Sequence, residues 1–251
     1  MAGSLSVMIV KSKDFGWELI HQQAHGLLAV KIANHWKPDI RTGRWLETLV
    51  ALTEHDDGQE PWEGRNHLTE AGAPLDFRIE MYSIGQAKRM IEIALEKSRW
   101  NALLVSRHAT FLYSSLAQQN DEMADFLKQQ RHNQQKWMKQ LNVAKSTVDS
   151  AYAFVQWCDA LSLILCQGQI PENGRQLEIS PGPDETPYFI FQRSDQSVGV
   201  VPWPFETPKF SLQVEAYQLH QLSFKNDAEL YACIQESPVE EKEWLFRENE
   251  K

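Results

Sequence analysis

The run Thr147–Cys166, TVDSAYAFVQWCDALSLILC, decides the fold. It carries apolar side chains on almost every face and contains no glycine or proline, so it reads as a long helix running through the core. Asp159 and Ser162 stand out as polar residues in that setting. A carboxylate inside such a helix is costly unless a donor or a cation meets it.

Moving outward, helical spacing recurs over Trp17–Trp36, with Ile20, Ala24, Leu27, Leu28, Ile32 and Ala33 on one side and Pro38 ending the run. A second helix is predicted over Thr42–His55, then others over Ser83–Lys97, Trp100–Leu116 and Asp121–Leu141. Val7–Val10 reads as a short strand closed by the turn Lys13–Gly16. Residues 58–82, rich in glycine, proline and polar groups, form a long irregular connection that serves either as packing or as a lid. After Gly168 prolines punctuate alternating runs at Tyr188–Phe191, Ser197–Val201, Lys209–Leu219 and Glu229–Glu236, which read as strands. The expected architecture is mainly α. A helical bundle with a short N-terminal strand fills residues 1–171, and a small antiparallel β appendage, residues 172–251, packs on it.

The formal net charge of −9 disfavours nucleic acid and anionic membrane as partners. No run approaches the ~20 apolar residues of a membrane span. Cys158, Cys166 and Cys233 are too few and too poorly spaced for a disulfide framework or a cysteine zinc site, and fit a reducing, cytoplasmic setting.

Ligand-type side chains fall at four places on these helices. His25 lies on the first, with His21 one turn before it; His55 and Asp56 end the second; His108 lies in LLVSRH; and Asp159 sits in the most apolar helix. Imidazoles and carboxylates together suit a divalent transition ion such as Mn, Zn, Fe or Ni.

The order His25, His55-Asp56, Asp159 on successive helices resembles the HD superfamily of metal-dependent phosphohydrolases, with Gly58 two residues after the paired aspartate. The blocks WELIHQQAHGLLAVKIANHW, EHDDGQEPWE, GAPLDF, LLVSRHATFLY and CDALSLILC also resemble a bacterial family known as a domain of unknown function. The first resemblance implies an HD-type bundle and His25, His55, Asp56 and Asp159 as metal ligands. It also implies hydrolysis of a phosphate ester in a small metabolite or nucleotide. Asp56 would orient the attacking water, while His108 and Arg107 would offset charge on the phosphoryl group. Many members carry Lys or His after the glycine; Gln59 stands there here, which leaves Arg107 or Arg65 to meet a phosphate. Two alternatives stay open: a non-catalytic binding or scaffold protein, and a di-iron oxygenase. The implied partner is a small molecule, and a homo-oligomer is compatible with the sequence.

Overall fold

The computed structural model describes residues 8–41, 43–56, 62–78, 83–118 and 120–249. Strands β1 (Met8–Lys13) and β2 (Gly16–His21) lead directly into helix α1 (Gln22–His35). Helices α2 (Trp45–Glu54), α3 (Ile84–Lys97), α4 (Arg99–Leu112), α5 (Asp121–Leu141) and α6 (Lys145–Gln167) follow. Then come β3 (Leu177–Pro181), β4 (Pro187–Gln192), β5 (Val198–Val201), β6 (Lys209–Leu219), α7 (Asp227–Glu236) and β7 (Val239–Arg247).

The expectation of a mainly α bundle with a small β appendage is overturned. Helix makes up 48% and strand 23%, and one curled, half-barrel sheet of seven strands spans most of the chain. Its order is β1-β2-β6-β7-β5-β4-β3. Only β5 and β7 run parallel, with Val198 beside Phe246; the other neighbours are antiparallel. An "all-alpha" description is therefore wrong for this protein.

Three local misreadings account for the difference. Trp17–His21, read as the start of a helix, is β2, which pairs with β6 as Trp17 against Leu219 and Leu19 against Tyr217. The β1–β2 turn needs Gly16: its φ is +142°, and a Cβ there would run into the Leu219 carbonyl. Glu229–Glu236, read as a strand, lies in the helix Asp227–Glu236 capped by Asn226, whose side chain accepts the Glu229 N–H at 2.9 Å. Val239–Arg247 carries too many charged residues to announce a strand, yet it lies inside the sheet between β6 and β5.

The long strand β6 alternates as an antiparallel strand with one dry face should. Phe210, Leu212, Val214 and Ala216 point into the core, while Ser211, Gln213 and Glu215 are exposed. Helix α6 is predicted correctly as the central element and packs against α1, α2, α4, β1 and β3. The connection 62–78 is firmly tied down. Buried Asp227 accepts the backbone N–H groups of Asn66 (2.9 Å) and His67 (3.1 Å), and Asp76 accepts the Val10 N–H at 2.9 Å. Arg65, a candidate phosphate contact, donates instead to the carbonyls of Lys225, Thr69 and Glu70.

Helices α1 and α2 touch backbone to backbone at Gly26. A Cβ there would sit 2.7 Å from the Thr53 carbonyl oxygen. This contact fixes the separation of the helix that carries His25 from the one that His55 follows. Gly26→Ala gains about 1 kcal/mol of helix propensity, but overpacking costs about 1–3 kcal/mol, and a helical carbonyl cannot swing aside. Net destabilisation is expected in urea melts; a variant as stable as the parent would show that the contact is not tight.

Candidate metal centre

Four helices bring their ligand-type residues to one place. His25 comes from the second turn of α1, His55 caps the C-terminus of α2 with Asp56 next to it, His108 comes from α4 and Asp159 from α6. His25 Nε2 lies 3.1 Å from Asp56 Oδ2, and His55 Nε2 lies 3.1 Å from Asp159 Oδ1 and 3.5 Å from Asp56 Oδ2. His108 Nε2 approaches Asp56 Oδ1 at 3.6 Å. Two overlapping triads, His25-His55-Asp56 and His55-His108-Asp159, each hold their donor atoms within 4.8 Å of one another. Five of the six ligand-type residues singled out in the sequence thus converge. The cluster is not sealed: the Asp56 side chain keeps 24% of its surface exposed against 12% for Asp159, so the site opens beside Asp56.

The surroundings aim the imidazoles inward. His55 Nδ1 donates to the Leu52 carbonyl at 2.7 Å. Ser162 spends its hydroxyl proton on the Asp159 carbonyl (2.8 Å), so its oxygen is left to accept from His25 Nδ1 at 3.3 Å. With both Nδ1 atoms donating outward, both Nε2 atoms face the carboxylates. In the neutral imidazoles those faces would be lone pairs set against carboxylate oxygens, a contact that only a cation relieves.

A proton does this in part. Burial works against charging His55, but Asp56 and Asp159 overcome it and hold its pKa up at about 10. Burial pushes His25 down to about 4, against the pull of Asp159. Burial also works to raise both aspartates, yet His55 above all keeps each below the usual carboxylate range. One protonated imidazole between two carboxylates leaves a buried negative charge, and the His25 lone pair still faces Asp56. A divalent cation among neutral imidazoles would balance both carboxylates and take the His25 and His55 lone pairs together. The donor set therefore fits a metal ion better than it fits a proton.

Arg107 stands apart from this group. It is paired with Asp149 at 2.6 Å and stacks over the Tyr152 ring, whose hydroxyl lies 3.4 Å from His108 Nδ1. His21 ends β2 and packs edge-on against Tyr217, outside the cluster. Asp57, Gly58 and Gln59 lie outside the described residues. Sequence reasoning missed Gln22 and Tyr152. Gln22 donates from Nε2 to Asp56 Oδ2 at 2.7 Å; its only signal was a position one helical turn before His25.

These shifts give the metal-free protein a stability maximum. His25 has a folded pKa near 4 against an ordinary 6.5, so its contribution is present above 6.5 and is lost as pH falls through about 4. The depressed aspartates lose theirs in the same direction at lower pH. His55, raised to about 10, contributes fully below 6.5 and loses that contribution as pH climbs through 10. Urea melts in chelator should therefore lose about 3 kcal/mol between pH 6.5 and 4 from His25 alone. In His25→Gln that part of the acid slope should vanish; an unchanged slope would refute the assignment.

Among the described residues no helix is long and apolar enough to cross a membrane. No curated protein and no solved structure matches the chain. One family does: "Protein of unknown function (DUF3891)" matches residues 8–221, a span that takes in all five clustered residues and six of the seven strands. The chain belongs to the DUF3891 family.

Proposed function

We propose that this protein is a metal-dependent phosphohydrolase of HD type, acting on a small phosphorylated metabolite or nucleotide. The observation that carries the proposal is the meeting of His25, His55-Asp56 and Asp159, in HD order, at one place. His25, His55, Asp56 and Asp159 would hold one divalent ion of Mn, Zn, Fe or Ni, with His108 beside them. When bound, such an ion acidifies water and polarises a phosphoryl oxygen.

The protein's own groups supply the rest. Asp56 is the more exposed of the two carboxylates and lies beside the opening, so it is the one placed to take a hydrogen bond from an incoming water. His108, whose Nε2 faces Asp56 Oδ1, is placed to donate to an oxygen of the phosphoryl group. Arg107 is a positioning residue: held by Asp149, it fixes the Tyr152 ring against His108 rather than meeting the phosphate itself. The ligands are buried except beside Asp56, which suits a small substrate presenting only its phosphate.

A second reading, a di-iron oxygenase, is favoured by the fifth donor, His108, and by the two triads that share His55. Metal counting separates the two: one ion per chain with hydrolysis of p-nitrophenyl phosphate supports the hydrolase, and two irons support the oxygenase. A protein that takes up no ion would be a binding module.

The ligand role has a direct check. Saturating metal should stabilise the parent by ~3–4 kcal/mol at 100 to 1,000 times the dissociation constant. Asp159→Asn keeps side-chain volume and removes the charge, so this metal-dependent gain should collapse, along with hydrolysis. Survival of the full gain in Asp159→Asn would place the ion elsewhere.

A further inference from the structure

Gln22 is the first residue of α1 and is 5% exposed. It follows β2 without an intervening loop, so the sheet itself sets its position. Its amide nitrogen donates to Asp56 Oδ2 at 2.7 Å, the same oxygen that faces His25 Nε2 at 3.1 Å. Its amide oxygen is buried and, among the described residues, meets no donor. A buried carbonyl oxygen left in this way is costly. Turning the amide over gives no relief, because it would set oxygen against the Asp56 carboxylate. The amide is thus pinned, its nitrogen on Asp56 and its buried oxygen without a donor among the described residues.

We infer that Gln22 Oε1 and Asp56 together hold the attacking water, an inference that rests on the phosphohydrolase reading. A water whose two O–H groups are accepted, one by Asp56 and one by Gln22, has its lone pair turned outward toward an incoming phosphorus. Gln22 also holds Asp56 in place, so one side chain sets the base and the nucleophile relative to each other. In the step itself the water oxygen forms the new P–O bond and the ester P–O bond breaks. The proton taken up by Asp56 passes to the departing alkoxide, so the products are the alcohol and inorganic phosphate. The alternative donor, a hydroxyl of the substrate, would use the same oxygen but would act on binding rather than turnover.

Gln22→Met preserves length and volume and removes both hydrogen-bonding atoms. With manganese as the ion and p-nitrophenyl phosphate, which carries no hydroxyl donor, kcat should fall roughly 100-fold while KM stays unchanged. Manganese stoichiometry should match that of the parent. A crystal structure of the manganese-loaded parent should show an ordered water on Gln22 Oε1 that Gln22→Met lacks. An unchanged kcat, or manganese binding lost in step with activity, overturns the water-holding role and leaves the phosphohydrolase standing. A loss carried by KM assigns the oxygen to the substrate and also overturns it. A parent inactive on the aryl phosphate with Mn, Zn, Fe and Ni in turn overturns both.

Discussion

Two carboxylates that meet the same imidazole inside a helical core cannot both stay charged without a cation between them. Asp56 and Asp159 are in that position around His55, and much of the surrounding structure serves to keep them there. Ser162 and the Leu52 carbonyl orient two imidazoles, Gln22 grips one aspartate, and the Gly26 contact holds α1 against α2. A core built only for stability would place leucine at these positions, because buried ion clusters are weak stabilisers. The cost is tolerable where a ligand offsets it.

The sheet is the frame for this cluster. Because β2 passes into α1 at His21–Gln22, the pairing of β2 with β6 sets how far α1 is advanced toward the other helices. Glu18 on β2, buried among lysines, ties the same strand to Lys13 and to Lys242 of β7. The N-terminal hairpin is thereby locked to strands made more than 180 residues later. The helices supply the ligands, and the sheet supplies the register in which they meet.

The site was more legible in the sequence than the fold was. His25, His55, Asp56, His108 and Asp159 could be picked out because each is a costly residue in an apolar helical setting, and that cost is a local property of the chain. The sheet was not legible for the opposite reason. Nothing in Trp17–His21 names a partner near Leu219, and the charges of β7 hide a strand whose inner face is paid for by its neighbours rather than by its own pattern. The capped start of α7 was available locally, as Asn226 followed three residues later by Glu229, and was outweighed by the apolar alternation around it. Gln22 was invisible because a glutamine at a helix start is ordinary until Asp56 is seen beside it.

The family match ends at residue 221, but the folded unit does not. Strand β7 pairs with β6 from Lys209–Arg247 to Tyr217–Val239 and separates it from β5. A chain cut at the family boundary would lose that strand, leave Glu18 without Lys242, and bare the backbone of β6 along most of its length. Open strand edges of this kind recruit other chains. The boundary of the family match thus runs through the middle of a sheet.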